Sequence, residues 1–242
     1  MSTYRPGRTL RGAIIVLSAM LGSALVAPAV AAETESAVAR GARLYDKFFA
    51  ENRSAKPEIN HPAYANKAGK YDKDASWRCK ECHGWDYRGK DGAYAGGAHA
   101  TGIAGITAAA GKDPAAIVSV LRNPTHAYTE KQLSTRDAND LALFVSKGQV
   151  DTTKYIDVAT KRAKGDAAKG EVYFNTVCAG CHGLDGKKVK DAPALGSVAN
   201  NAAEMLHKVL NGQPGESMPA LRALDPQISV DIVSYLPQLP KE

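Results

Sequence analysis

The amino-acid sequence predicts an all-α fold built as two tandem domains. The chain has 242 residues, which is enough for two small domains. A five-residue pattern, C-x-x-C-H, occurs at residues 79–83 and again at 178–182. Each copy is followed by a segment with apolar residues at helical spacing, residues 137–145 in the first half and 226–236 in the second. The same order of motif and helix in both halves indicates an internal repeat.

The repeated pattern contains every cysteine of the chain. Its residues are Cys79, Cys82 and His83 in the first copy, and Cys178, Cys181 and His182 in the second. A structural zinc site needs four ligands at one metal ion, and a thioredoxin-like pair needs a βαβ setting that the sequence does not show. C-x-x-C-H is typical of c-type haem attachment, in which both thiols bond to the haem and the histidine is the proximal iron ligand. The sequence therefore predicts two covalently bound haem c groups.

The first 32 residues have the layout of a secretory signal peptide. Arginines at positions 5, 8 and 11 precede an apolar run from residue 13 to about residue 26, and small residues follow Pro28. The apolar run is short for a membrane span, which needs about 20 residues. We therefore expect cleavage near Ala31 or Ala32 and a periplasmic protein that does not span the membrane.

The net charge gives no indication of nucleic-acid binding. Residues 1–32 contain three arginines and no acidic residue, so their removal lowers the formal net charge from +6 to +3. The propionates of two haems would bring the remaining charge close to zero. We therefore expect redox proteins, rather than nucleic acids, as partners.

The surroundings of the two motifs are also repeated. The stretch from Gly41 to Tyr45 precedes the first motif, and a similar stretch from Gly170 to Phe174 precedes the second. Asp140 and Asp231 fall at matching places in the two closing segments. A first helix, a C-x-x-C-H motif, a loop and a closing helix resemble class I cytochromes c, and the pair is similar to the cytochrome c4 arrangement. The resemblance implies two small helical domains, each wrapped around a haem, with the closing helix crossing the first.

The predicted domain boundaries follow the repeat. They are a signal peptide at 1–32, a first cytochrome domain at 33–150, a polar linker with few apolar anchors at 151–165, and a second cytochrome domain at 166–242. The first domain carries an insertion at about residues 51–76, which is rich in Asn, Lys, Tyr and Pro and is expected to be a surface loop. The second domain is short, so we expect it to depend on haem as part of its core.

The resemblance places the distal iron ligand of the second haem at Met218. This residue follows Cys178 by 40 positions, in a Gly/Pro-bounded loop directly before a proline and the closing helix. The alternative for Met218 is a core methionine, whereas Met205 lies inside a predicted helix from residue 202 to 210. On the same helix, His207 is expected at the surface.

The first domain contains no methionine, so its iron requires another distal ligand. Aligning the two closing segments with an offset of 91 residues places Ala127 opposite Met218, with His126 next to it. We therefore predict that His126 is the distal ligand and that the first iron is bound by two histidines. His99, His61 and an open or water-bound iron are the alternatives, and the two histidines are otherwise expected to be solvated or hydrogen-bonded.

Two irons with six ligands each leave no position for a substrate, so electron transfer without bond chemistry is the predicted function. Thioether sulfur favours Fe(II) relative to a second imidazole, so the first haem is expected to have the lower potential. Lys187, Lys188 and Lys190 form either a docking rim for an acidic redox partner, such as an oxidase, a reductase or a dehydrogenase, or a solvated loop.

A haem enzyme, or a dedicated electron-accepting subunit of an exported dehydrogenase, is the alternative function. Di-haem cytochromes that oxidise sulfur compounds resemble this chain in having two class I domains, and their catalytic iron typically has a cysteine ligand. All four cysteines of this chain are needed for haem attachment, which excludes that route. Trp85 and Tyr87 need no catalytic role and are expected to pack on the haem or to hydrogen-bond a propionate.

Overall fold

The computed structural model describes residues 26–64 and 71–242, together with residues 1 and 3. Within these ranges the protein is helical, and extended segments pair only in two isolated bridges, Gly89–Ala104 and Ile156–Ala163. The α-helices of the described part are α1 (Val26–Glu51), α2 (Cys79–His83), α3 (Pro114–Leu121), α4 (Thr135–Leu143), α5 (Thr152–Tyr155), α6 (Ala167–Tyr173), α7 (Ala179–His182), α8 (Leu195–Val198), α9 (Ala202–Asn211) and α10 (Pro226–Tyr235). The predicted all-α class is confirmed.

The chain forms two compact units, Met1–Thr34 and Glu35–Glu242. The predicted signal peptide lies mostly outside the described residues, and residues 26–32 belong to α1. None of the helices in the described ranges is long and apolar enough to cross a membrane. Both C-x-x-C-H motifs lie in the second unit, which contains two hydrophobic clusters.

Helices α1 and α4 cross in the first cluster, which extends over residues 38–145. Its largest members are aromatic: Tyr45, Phe48, Phe49, Trp77, Tyr87, Tyr128 and Phe144. The two backbones are closest at Gly41, where a Cβ atom would lie 2.0 Å from the carbonyl oxygen of Asp140. Arg40 strengthens the crossing because its Nη1 donates to Oδ2 of Asp140 at 2.7 Å. Only glycine permits an approach this close.

Helices α6 and α10 make the corresponding crossing in the second cluster. At Gly170 a Cβ atom would lie 2.0 Å from the carbonyl oxygen of Asp231. The buried residues around this crossing include Phe174, Val230, Ile232 and Tyr235. Gly170 and Asp231 are the residues that the sequence repeat matched with Gly41 and Asp140, so the two halves share this contact.

Replacing Gly41 with alanine is expected to lower the free energy of unfolding by about 3 kcal/mol, because the new methyl group would overlap the backbone of α4. The matched control is Gly96→Ala, since Gly96 has nothing within 4 Å of the added Cβ. The control is expected to change stability by less than about 0.5 kcal/mol. Chemical denaturation of the holoprotein measures both, and equal midpoints would show that the helices do not cross this closely.

Helix α9 of the second half is buried against the first half. His207 on α9 is only 2% exposed. Its Nε2 donates to the carbonyl oxygen of Ala42 at 3.0 Å, so its Nδ1 accepts from the Tyr87 hydroxyl at 2.9 Å. Burial lowers the pKa of His207 to about 4, which keeps the ring neutral at pH 7. The expectation of a surface His207 is wrong because its burial comes from the other half of the chain.

Charged side chains join the same two surfaces. The carboxylate of Asp46, a residue that is 1% exposed, pairs with Arg78 and accepts from Nζ of Lys208 on α9 at 2.7 Å. Burial opposes ionisation, but the charges of Lys208 and Arg78 lower the pKa of Asp46 to about 2. Arg43 of α1 also donates to the carbonyl oxygen of Asn211 at 2.9 Å. The two halves are therefore connected by buried polar contacts on several residues.

The insertion of the first half is more than a surface loop. Residues 65–70 lie outside the described residues, and the parts on either side are tied together. Nε1 of Trp77 donates to the carbonyl oxygen of Ile59 at 2.8 Å, and the backbone N–H of His61 donates to Oγ of Ser76 at 2.9 Å. His61 and Ser76 are buried. Although the composition of this segment is polar, some of its side chains are therefore buried against one another.

The linker also differs from the expectation of few apolar anchors. It contains helix α5 and the antiparallel bridge between Ile156 and Ala163. The side chains of Tyr155, Ile156 and Ala163 pack against the second cluster. The linker is therefore attached to the second half by apolar contacts.

Candidate haem sites

His83 is the last residue of α2 and has one ring nitrogen free for a metal. Its Nδ1 lies 2.8 Å from the carbonyl oxygen of Ala104, which can only accept, so Nδ1 carries the proton. The lone pair is therefore on Nε2, as a metal-bound histidine requires. Burial lowers the pKa of His83, which favours the neutral, ligating form. Gly84 ends the helix with a φ of 78°, in a region that favours glycine.

The thiols of the first motif lie in apolar surroundings. Cys79 packs against the first cluster, with Sγ 3.8 Å from the hydroxyl of Tyr128. Burial raises the pKa of Cys79 to about 11 and that of Cys82 to about 12. A reactive redox pair needs a lowered thiol pKa, so this environment argues against thioredoxin-like chemistry. It fits thiols whose role is attachment of an apolar group.

His126 faces His83 across the predicted first haem site. The centres of the two imidazole rings are 6.3 Å apart, and their planes differ by 21°. Two imidazoles on opposite sides of one metal ion, with metal–nitrogen bonds of about 2 Å, have ring centres about 6 Å apart. Burial lowers the pKa of His126 and favours its neutral form. The distance between the ring centres is therefore the one that a haem iron between two histidines requires.

The two alternative ligands of the first half have other partners. His61 uses both ring nitrogens, since the N–H of Ala63 donates to its Nδ1 at 3.1 Å and its Nε2 lies 2.8 Å from the carbonyl oxygen of His126. The ring of His99 is stacked between Tyr71 and Tyr94, at centre distances of 4.2 and 4.5 Å. His126 is therefore the better candidate of the three.

The second motif is more exposed than the first. Cys178 and Ala179 pack against the second cluster, whereas Cys181 is exposed. Burial raises the pKa of Cys178 to about 11 and lowers the pKa of His182, the last residue of α7. Of the two predicted attachment thiols of the second half, that of Cys178 therefore lies in apolar contact and that of Cys181 lies at the surface.

Met218 lies in the loop between α9 and α10. It is partly buried and packs against the same hydrophobic cluster as Cys178. The loop turns at Gly212, where φ is 86° and a Cβ atom would lie 2.6 Å from the carbonyl oxygen of Met218. Met205, by contrast, is a buried residue of α9, the helix in which the sequence placed it. The structure therefore brings the predicted thioether ligand and one predicted attachment thiol to one cluster.

The two residues between the cysteines of the first motif are buried charges that the sequence analysis did not single out. Lys80 and Glu81 are 6% and 1% exposed and form an ion pair. Oε2 of Glu81 also pairs with Nδ1 of His99 at 2.9 Å. The ammonium groups of Lys80 and Lys208 lie 5.3 and 5.4 Å from the centre of the Trp85 ring. No local pattern indicates this cluster, because Lys208 comes from the other half.

Trp85 and Tyr87, which follow the first motif, contact His207 of helix α9. The Tyr87 hydroxyl bonds to His207, and the ring of Trp85 lies 5.1 Å from that of His207. Both aromatic residues are almost fully buried. They therefore form the contact between the first motif and α9.

The C-terminal part of the chain matches a known family. Residues 165–236 fit the family described as cytochrome C oxidase, cbb3-type, subunit III. These residues form a c-type cytochrome domain. Such a domain binds haem c covalently and functions in electron transfer. No match was found among curated proteins. The matched residues include Cys178, Cys181, His182 and Met218 and do not include the first motif.

Proposed function

We propose that the chain is a periplasmic di-haem electron-transfer protein with one haem c in each half. The family match covers the second motif only. The evidence for another haem at the first motif is the arrangement of its histidines. There, His83 bonds to Ala104 through Nδ1, which leaves its Nε2 available for a metal. The centre of the His126 ring lies 6.3 Å from the centre of the His83 ring. The shared crossings at Gly41 and Gly170 support a tandem arrangement of two similar domains.

The two sites are proposed to differ in their distal ligands. His83 and His126 would hold the first iron, and His182 and Met218 the second. A haem supplies reversible one-electron chemistry, and thioether ligation favours the reduced iron relative to a second imidazole. Electrons are therefore expected to enter at the first site and to pass to the second.

The contact between the halves supports transfer within one molecule. Trp85, two residues after His83, packs on His207 at a ring distance of 5.1 Å. His207 belongs to α9, whose C-terminus leads into the loop that carries Met218. The buried hydrogen bonds of His207 to Tyr87 and Ala42 fix this arrangement, so the distance between the two sites is expected to be constant.

Redox proteins with acidic surfaces are the proposed partners. Lys187, Lys188 and Lys190 are exposed beside the second motif, where Cys181 is exposed as well. A positive surface at an exposed haem attachment site favours encounter with an acidic oxidase, reductase or dehydrogenase. With the proposed order of potentials, this surface would lie at the electron-donating end.

The first experiment is near-infrared magnetic circular dichroism of the oxidised holoprotein, combined with a redox titration. We expect two haems per chain, one His/His signal and one His/Met signal, with the His/His site titrating at the lower potential. The axial ligands of each iron determine the position of its charge-transfer band, so the spectrum reports the two irons separately. A single haem, or a high-spin signal from either iron, would contradict the proposal and would make a substrate screen the next step.

A further inference from the structure

His61 of the insertion donates a hydrogen bond to the backbone of His126. The N–H of Ala63 donates to Nδ1 of His61 at 3.1 Å, so the ring proton is on Nε2. That Nε2 lies 2.8 Å from the carbonyl oxygen of His126, which accepts the bond. His61 is 7% exposed, so water does not readily replace this donor.

The His61 ring is itself held in place from two sides. Its backbone N–H donates to Oγ of Ser76, and that hydroxyl donates to the carbonyl oxygen of Lys73 at 2.6 Å. The edge of the ring packs against Trp77, with ring centres 4.5 Å apart. Trp77 directly precedes Arg78 and the first cysteine of the motif. The segment before the haem motif therefore fixes the orientation of His61.

The loop that carries His126 has an unfavourable backbone conformation and is bonded on two sides. Ala127 has a φ of 54°, in the left-handed region that residues other than glycine rarely adopt. Asn123 orients one side of the turn, since its Oδ1 accepts from the N–H of His126 at 3.0 Å and its carbonyl oxygen accepts from the N–H of Ala127 at 2.8 Å. On the other side, the carbonyl group of His126 is bound by His61. This bond fixes the peptide plane between the predicted ligand and Ala127.

From this geometry we infer that His61 is a positioning residue, and that the insertion of the first half serves to hold His126 at the iron. The inference rests on the proposed function, because it takes His126 as the distal ligand. His61 does not bind the iron. It fixes the backbone from which the His126 ring extends, and without it the peptide can rotate and the ring can leave the metal.

The test compares two substitutions of His61 in the holoprotein. His61→Phe keeps a ring against Trp77 and Tyr128 but removes the donor, whereas His61→Gln keeps an N–H near the position of Nε2. Asn60→Ala is the matched control, because Asn60 bonds within the insertion, to Asp72 and Lys73, and does not touch His126. The readouts are the His/His signal and the rate of carbon monoxide binding to the reduced first haem.

We expect His61→Phe to bind carbon monoxide at least about tenfold faster than the wild-type protein, because a buried carbonyl group loses its donor. His61→Gln is expected to restore most of the wild-type rate, and Asn60→Ala to retain it. If the wild-type first iron is low-spin with two histidines and His61→Phe binds no faster, or if Asn60→Ala accelerates as much as His61→Phe, the positioning role is wrong and the proposed function stands. If the wild-type first iron is already open, the His126 ligation is wrong and this inference fails with it.

Discussion

Under the proposed ligation, replacing His126 with alanine is expected to open the first iron and to leave the second unchanged. The ring of His126 is the group that faces His83 at 6.3 Å, and alanine has no atom that can reach the metal. The His/His signal should therefore disappear and be replaced by a high-spin signal of the same haem. The reduced variant should bind one carbon monoxide molecule per chain, and the His/Met signal of the second haem should remain.

Met218→Ala is the reciprocal variant. It should remove the His/Met signal, keep the His/His signal and lower the potential of the second site. Met205→Leu is its matched control, because Met205 is a buried residue of α9 and a similar apolar volume replaces it. The control should keep both signals. In each of the two variants, the signal of the unchanged site serves as an internal standard for the site that has lost its proposed distal ligand.

Retention of the His/His signal in His126→Ala would assign the ligand to another histidine. His61 and His99 are the candidates in the first half, and both are bound elsewhere. His61 would have to give up two hydrogen bonds, and His99 would have to leave a stack between two tyrosine rings and its bond to Glu81. The geometry therefore predicts that neither takes the place of His126 without rearrangement of the insertion or of the loop around residue 99.

Local patterns were sufficient to predict helices α9 and α10. Asp225 accepts from the N–H of Gln227 and Pro226 opens α10, which is a helix start that can be read directly from the sequence. The predicted helix at residues 202–210 corresponds to α9 within one residue. The pairing of Gly41 with Gly170 could also be found in the sequence, because each glycine is followed four positions later by an aromatic residue, Tyr45 or Phe174.

The buried histidines could not be predicted in the same way. In α9, Leu206, Val209 and Leu210 form the apolar face of the second cluster, and a local pattern assigns the remaining face to water. His207 is on that remaining face, and residues from the first half bury it. The burial of His61 could not be predicted for a similar reason, since His61 lies in a polar insertion and packs against Trp77; that it is hydrogen-bonded was one of its expected states. In both cases burial depends on segments that are distant along the chain.

Acidification from pH 7 to pH 4 is expected to destabilise the protein by on the order of 3 kcal/mol through His207 alone. Its pKa is lowered from 6.5 to about 4 in the folded protein by burial. At pH values between 6.5 and about 4, the unfolded chain binds a proton at His207 and the folded protein does not. The free energy of unfolding therefore falls as the pH falls through this window, and above pH 6.5 this loss does not occur.

His207→Gln isolates this contribution. A glutamine amide can donate to the carbonyl oxygen of Ala42 and accept from the Tyr87 hydroxyl, but it does not titrate. Burial also lowers the pKa of four other histidines, and these are common to both proteins: His61, His83, His126 and His182. The free energy of unfolding of both proteins is measured by chemical denaturation at pH 7, 5.5 and 4, and the difference between the two slopes belongs to His207.

The lower limit of pH 4 separates this effect from that of Asp46. The pKa of Asp46 is lowered from 3.8 to about 2, so its contribution to stability is present above pH 4 and is lost as the pH falls from 3.8 to about 2. The wild-type protein should therefore lose more stability than His207→Gln between pH 7 and pH 4, and the two curves should fall in parallel below it. Parallel curves over the whole range would mean that His207 is accessible to protons in the folded state. The contact between α9 and the first half would then be open in solution, and the constant distance between the two haem sites would be lost with it.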